Sequence, residues 1–416
     1  MQIKRVCFKR EGQSVSNKNI ILLSQFINNF GSAFSRIALV ILITTWYKNP
    51  IYVGIYSFFL FLPRTFLSTP IGYLIDSRQD QKKVILWSSF LAALTILGVA
   101  MMVFVKIHSF VLLVVLATVY AVVSDVYDPC IIKITVLLFD KSEYVSINSS
   151  ISSAMTAANL FSGIIVTYGM TFLSFTPLFM FDVMSYLIVI VLILCLKVPK
   201  KLLPTETSAP AAAHSNPIWN SFKVVKTFLT TFPYIIPVYL SAILFNILLA
   251  PMNVYLTQIS DYIFNNPKST GLLESFFSLG FLVGSLTYKT ICNKVNVNRM
   301  IQLALLLVPT AVSILGLAHT LLLALSALVL LGIVIPFFNI SSKTILQNRV
   351  SQSELGTVFN SYFALMNLSQ PIGLLGIPVL ISAFGIQPIL VITGTIYLLA
   401  AMTLIGLNKF PVELNQ

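Results

Sequence analysis

Apolar runs of about 20 residues follow one another along almost the whole chain, each closed by a short polar stretch. A helix of about 20 residues covers the hydrocarbon core of a bilayer, so this repeating run predicts membrane-spanning helices. Twelve spans are expected, at about 20–43, 51–75, 84–105, 109–131, 145–169, 174–196, 232–256, 269–291, 300–317, 320–342, 356–382 and 387–408. Pro and Gly interrupt several of them, which membrane helices tolerate where neighbours satisfy the freed backbone groups. The pattern fails over Lys197–Lys226, which holds Pro199, Pro204, Pro210 and Pro217, an Ala tract and the single acid Glu206. That stretch reads as a linker, with a short interfacial helix expected over 216–231, where Trp219, Phe222, Val225 and Phe228 can share one face. The expected fold class is therefore an all-α membrane protein, with twelve transmembrane helices in two six-helix bundles. Its expected parts are an N-terminal bundle (1–196), a cytosolic linker (197–231) and a C-terminal bundle (232–416).

Composition agrees with that layout. Of 416 residues, 57% are hydrophobic and only 9% charged, and the mean hydropathy of +0.91 excludes a soluble domain of this size. The net charge of +13 would suit a nucleic-acid partner, but the bases are dispersed between apolar runs, so none is expected. Topology explains them better. With the N-terminus inside, the outer loops hold only Lys48, Lys106 and Lys268, while Arg36 and Arg64 lie within spans. The other 21 of 26 Lys and Arg residues fall on cytosolic segments, which places both termini in the cytosol. The basic N-terminal segment precedes an apolar run too long for a signal peptide, so a retained first helix is expected. The four cysteines have no metal-ligand spacing and lie near expected cytosolic helix ends, so neither a metal site nor a disulfide is expected. Three histidines, no nucleophile–His–acid spacing and no P-loop leave no basis for an enzyme or a cofactor.

The densest polar cluster is Gly72-Tyr-Leu-Ile-Asp76-Ser-Arg78-Gln-Asp80-Gln-Lys82-Lys83, between the second and third spans. Gly72 permits close helix approach, Asp76 can face a helix N-terminus, and Arg78, Lys82 and Lys83 hold the turn on the cytosolic side. Ionisable groups inside spans are costly and usually paired or functional. Counting about 1.5 Å per residue puts Arg36 and Asp182 at one depth, and Arg64 and Asp125 at another. Each pair is opposite in charge. The pairs serve as static staples, or Asp125 or Asp182 exchanges a proton or an arginine contacts an anionic substrate, or the charges snorkel to an interface. Asn28 and Asn29, Asn246 and Asn253, with Glu274 near a span end, are the candidate cavity contacts. Gly280 and Gly284 form a small-xxx-small packing surface.

The order Gly72, Asp76, then Arg78, Lys82 and Lys83 resembles the loop 2–3 signature of the major facilitator superfamily. Further stretches are similar to its macrolide-efflux-like branch of bacterial drug:proton antiporters. They are Gln25-Phe-Ile-Asn-Asn-Phe-Gly31-Ser-Ala-Phe34, Phe181-Asp182-Val-Met-Ser185-Tyr186-Leu, Tyr127-Asp-Pro129 with Asn148-Ser-Ser, Gln347-Asn-Arg349-Val-Ser-Gln-Ser-Glu354-Leu-Gly356 and Gln370-Pro371-Ile-Gly373. The chain departs from the pattern at Asp80-Gln81, where the family often has Gly then Arg, and in the fifth span, where only Gly163 of a Gly-Pro-rich motif is clear. The resemblance implies a secondary transporter of the bacterial cytoplasmic membrane, working by alternating access around a cavity between two halves. It implies a gate loop at Gly72–Lys83, with Asp76 docking when the cytosolic side closes. The expected activity is proton-coupled efflux of a small amphipathic organic molecule, with protons and membrane lipid as its other partners. The alternatives are a transporter of a specific metabolite (a siderophore-like chelator, a peptide or a lipid) and a non-transporting receptor of the same fold.

Overall fold

A computed structural model describes residues 2–77, 80–139, 143–196, 236–265, 267–292, 294–349 and 355–406, with the side chains of 2–16, 64–65, 68–77 and a few other helical positions outside the description. The expected linker and its interfacial helix lie outside the described residues. Fourteen α-helices are described: α1 Gln2–Tyr47, α2 Pro50–Ser77, α3 Gln81–Phe104, α4 Phe110–Ser124, α5 Tyr127–Leu138, α6 Tyr144–Phe172 and α7 Phe175–Cys195, then α8 Ile236–Leu249, α9 Met252–Phe264, α10 Thr270–Cys292, α11 Val297–Gly316, α12 Leu321–Arg349, α13 Leu355–Phe384 and α14 Ile386–Gly406. Taking α4 with α5 and α8 with α9, eleven of these segments are long and apolar enough to cross a membrane among the described residues. The 28-residue α2 covers the remaining expected span. Large apolar side chains point outward along the helices, among them Val111, Phe172 and Leu322 at 73%, 88% and 79% exposure. Such a surface suits lipid rather than water.

The two broken spans have one cause. Proline lacks an N–H and removes the hydrogen bond to the carbonyl four residues earlier. Pro129 does this to Asp125, and the chain turns at Asp125–Val126 between α4 and α5. Pro251 does it to Ile247, at the turn between α8 and α9. There the Val254 N–H bonds the Pro251 carbonyl at 2.9 Å instead of continuing the ladder to Ala250. Tyr255 compensates by donating its hydroxyl to the Leu248 carbonyl at 3.0 Å.

The described residues divide into two compact units. The first comprises residues up to Trp46 and from Phe59 through α7; the second comprises Tyr47–Phe58 and the helices from α8 onward. In the first, α3 packs along α7 and α4, and a buried cluster gathers Ile21, Ile85, Tyr127, Ile131, Val189 and Ile193. In the second, α10 and α12 run in close contact because glycines face backbone across the seam. A Cβ at Gly280 would meet the Val329 carbonyl, one at Gly284 the Ile333 carbonyl, and one at Gly332 the Phe277 carbonyl. The expected small-residue surface is therefore a backbone-to-backbone seam. Residues Tyr47–Phe58, placed with the first bundle by the sequence pattern, group with the second unit through Gly54. Its Cα faces α13, where a Cβ would lie 2.7 Å from the Leu374 carbonyl and 2.6 Å from Pro378 Cγ.

Candidate functional site

Asp182 sits in the middle of α7 with no exposed surface. Burying a carboxyl is unfavourable unless hydrogen bonds replace its water. Here hydroxyls do so. Tyr120 of α4 donates to Asp182 Oδ2 at 2.8 Å, and Ser185 Oγ lies 3.0 Å from Oδ1 and 2.7 Å from the Asp182 carbonyl. Ser185 has one hydroxyl proton and so serves one of these acceptors at a time. Tyr186 in turn donates to the Tyr120 hydroxyl at 3.2 Å, and Ser32 Oγ of α1 lies 3.1 Å from the Tyr186 hydroxyl. With Tyr186 donating onward, Ser32 is the donor to Tyr186. The result is a chain Ser32–Tyr186–Tyr120–Asp182 that crosses α1, α7 and α4. Ser32, its far end, is only partly buried. Each hydroxyl can both donate and accept, so such a chain can hold a proton at the carboxyl and reverse direction when it leaves.

Close helix approach makes the chain possible. Gly31 of α1 faces Asp182 and Ser185 so tightly that a Cβ there would overlap Ser185 Oγ and Asp182 Oδ1. Asp182, Ser185 and Tyr186 are spaced i, i+3 and i+4, one face of a helix. That spacing was visible in the sequence, where Ser32 stood in the first-span stretch without a role of its own, but Tyr120 carried no signal.

The pairing expected from depth needs correcting. Asp182 is held by neutral hydroxyls rather than by Arg36, because equal depth does not put two side chains on facing sides of their helices. Arg36 is partly buried and engaged by contacts of its own, as is Asp125. Asp125 lies at the Pro129 break, capping α4. Arg64, its expected partner, has a side chain outside the described residues. Asn29 donates back to the Gln25 carbonyl at 2.8 Å. Gln25 Nε2 reaches Asp128 Oδ1 at 2.7 Å. Asn28 is buried with its Oδ1 unsatisfied. Asn253 is half-buried on α9, and Glu274 is buried and engaged on α10.

Of the expected gate loop, Arg78 and the side chain of Asp76 lie outside the described residues, and of Gly72 only the helical backbone is described. The rest of the turn is built by residues with other duties. Asp80, a departure from the family pattern, is the N-cap of α3, and its carboxylate accepts from the Lys83 N–H at 3.2 Å. Lys83 pairs with Asp80 at 3.5 Å on the surface. Lys82 reaches away from the turn, donating to the Leu194 and Leu196 carbonyls at 2.8 and 2.9 Å. A cation there satisfies the orphan carbonyls at the C-terminus of α7 and complements its dipole.

The second unit contains a cavity of about 370 Å³ between α8, α12 and α13, lined by Phe245, Asn246, Phe338, Asn339, Met366 and Gln370 among others. Phe245 and Phe338 stack with centroids 4.0 Å apart. Gln370 Nε2 donates to Asn246 Oδ1 at 3.1 Å, and Asn246 Nδ2 to the Ala242 carbonyl at 2.9 Å. Each wall carries a proline beside a lining residue: Pro251 after Ala250, Pro336 after Ile335 and Pro371 after Gln370. Asn246 was a sequence candidate. Phe338 and Asn339 were not, since nothing in an apolar span distinguishes a lining face from a packed one.

Comparison with known proteins follows the same outline. The family model described as Major Facilitator Superfamily matches residues 21–263 and 253–415. Macrolide efflux protein A of Streptococcus pyogenes is 20% identical over 404 residues, covering 94% of this chain and 95% of that protein. Among solved structures, the nucleoside transporter NupG superposes with a TM-score of 0.75 at 13% identity, covering 96% of this chain and all of that one. A bacterial homologue of the iron transporter ferroportin, in an inward-facing state, gives 0.73 at 13% identity, covering 94% and 98%. At these identities the structures speak for the fold. With a family match across nearly its full length and an all-helical membrane fold to go with it, this chain belongs to the Major Facilitator Superfamily, a family of membrane transporters rather than enzymes.

Proposed function

We propose that this transporter exports a small amphipathic organic molecule in exchange for protons, with the Asp182 carboxyl as the group that takes up and releases the proton. The observation that carries this reading is the complete burial of that carboxyl at the end of a hydroxyl chain whose far end is less enclosed. An intramembrane acid held by a guanidinium would be fixed in its charged form; one held by hydroxyls can exist in either form as its partners reorient. Asp125, at a proline break within a span, is the second candidate for coupling. The distant likeness to a macrolide efflux protein supports the outward direction and an amphipathic cargo.

In this reading two six-helix bundles alternate between access states, with residues 197–231 as the connection and Asp76 with Arg78 as a latch. The dispersal of bases supports a bacterial cytoplasmic membrane with both termini in the cytosol. The test is uptake of an amphipathic dye into inverted membrane vesicles energised by a pH gradient. Asp182→Asn is expected to abolish uphill accumulation while leaving counterflow exchange, which needs no net proton movement. If Asp182→Asn still concentrates the dye, Asp182 is not the coupling group.

A further inference from the structure

We infer that the cavity between α8, α12 and α13 is a recognition site for an uncharged, planar ring carrying a hydrogen-bond donor and acceptor side by side, the edge of a primary amide or of a heteroaromatic lactam. This deepens, and rests on, the reading of the chain as a carrier of small organic molecules. Three observations lead to it. No ionisable side chain among the described residues lines the cavity, so a charged ligand would lose its hydration with no counter-charge from them in the wall. Phe245 and Phe338, stacked on one another and almost wholly buried, make the lining aromatic, and Met366 adds a polarisable sulfur suited to aromatic edges.

The third is the state of the amides. Asn246 is committed on both sides, accepting from Gln370 and donating to the Ala242 carbonyl. Asn246 therefore serves to aim Gln370, whose Oε1 has no protein partner among the described residues. Asn339, one residue on from Phe338, has none for either end of its amide among the described residues. An unused acceptor on α13 and an unused donor–acceptor pair on α12 stand beside two lining aromatic rings. Polar groups few in number, set in a mostly apolar cavity, fix orientation and specificity. The volume of about 370 Å³ accommodates a ligand of about 15 non-hydrogen atoms at protein-like packing.

The test is equilibrium binding of three probes of similar size to the purified full-length protein, by saturation-transfer NMR at millimolar concentration. Nicotinamide is neutral and planar and carries the amide edge; nicotinate replaces that edge with a charge; cyclohexanecarboxamide keeps the amide but loses the plane. Nicotinamide is expected to bind, with the other two each weaker by about tenfold. Asn339→Leu is expected to weaken nicotinamide by about tenfold. Gln370→Leu is a second variant, should Asn339→Leu fail to fold. Absence of nicotinamide binding, equal binding of nicotinate, or indifference to both variants overturns the inference. Because equilibrium binding needs no proton gradient, an uncoupled Asp182→Asn protein that still binds nicotinamide counts against the coupling group alone. A coupled protein that ignores nicotinamide counts against the recognition site alone.

Discussion

Tyr120 donates its hydroxyl to Asp182 Oδ2 at 2.8 Å, joining α4 to α7 at a point where both residues are buried. The bond is one of two that replace the water stripped from this carboxyl. It is also the junction through which the Tyr186 and Ser32 hydroxyls reach it.

Tyr120→Phe removes that junction while keeping the ring. The lost hydrogen bond is worth about 1–3 kcal/mol in a buried site, so the protein is expected to remain folded with a lower melting temperature. Proton-driven accumulation in vesicles is expected to fall by about tenfold, with counterflow close to wild type. Equal losses in both assays would show that Tyr120 holds the helices together and takes no part in proton movement.

Gly31→Ala tests whether the hydroxyl chain depends on the approach of α1 to α7. A methyl at this position overlaps Ser185 Oγ and Asp182 Oδ1, and neither can move far without losing its partner. Destabilisation of about 1–3 kcal/mol is expected, read as a fall in melting temperature, together with impaired coupling. At Gly376, where a Cβ meets nothing within 4 Å, the same substitution is expected to leave both unchanged.

Gly284→Val tests the seam of α10 and α12. The added side chain drives into the Ile333 backbone, which cannot rotate out of the way as a side chain could. The helices must part, and a loss of about 3 kcal/mol is expected from overpacking, seen as reduced expression and early melting. Wild-type melting for this variant would mean that the seam opens without cost.

These cases show what a sequence of this kind displays and what it conceals. Hydropathy located the helices because crossing a bilayer demands a length of apolar residues that little else requires. The breaks were harder to place. Pro129 and Pro251 interrupt their spans, whereas Pro309, Pro336, Pro371 and Pro378 lie inside continuous helices. The outcome depends on which neighbours take up the carbonyls left open at the turn, as Tyr255 does for Leu248 near Pro251, and those are set by tertiary packing. Asp182 stood out as an acid in an apolar run, and Ser185 and Tyr186 share its helical face. Tyr120 and Ser32 come from other helices, and depth along the chain says nothing about rotation about each axis. The same missing coordinate led from equal depth to an Arg36–Asp182 pair that the structure replaces with hydroxyls. Lys82 was legible as a charge in a turn, but its acceptors lie more than a hundred residues away in sequence.

Lys82→Met isolates that last contact. The methionine keeps the stem length but cannot donate, so the Leu194 and Leu196 carbonyls lose their cation and the end of α7 loses its dipole complement. The site is partly open to solvent, so the expected destabilisation is about 1 kcal/mol. Lys83→Met is the control. Lys83 is 77% exposed at its side chain and its Asp80 partner 47%, and a surface pair of this kind contributes little. The local effect can be read directly, because Cys195 is an exposed free thiol at the last turn of α7. In a background where Cys7, Cys130 and Cys292 are replaced by alanine, maleimide labelling of Cys195 is expected to accelerate in Lys82→Met as the turn frays. Lys83→Met is expected to label at the wild-type rate. Equal labelling in both variants would show that Lys82 sits near the α7 terminus without holding it.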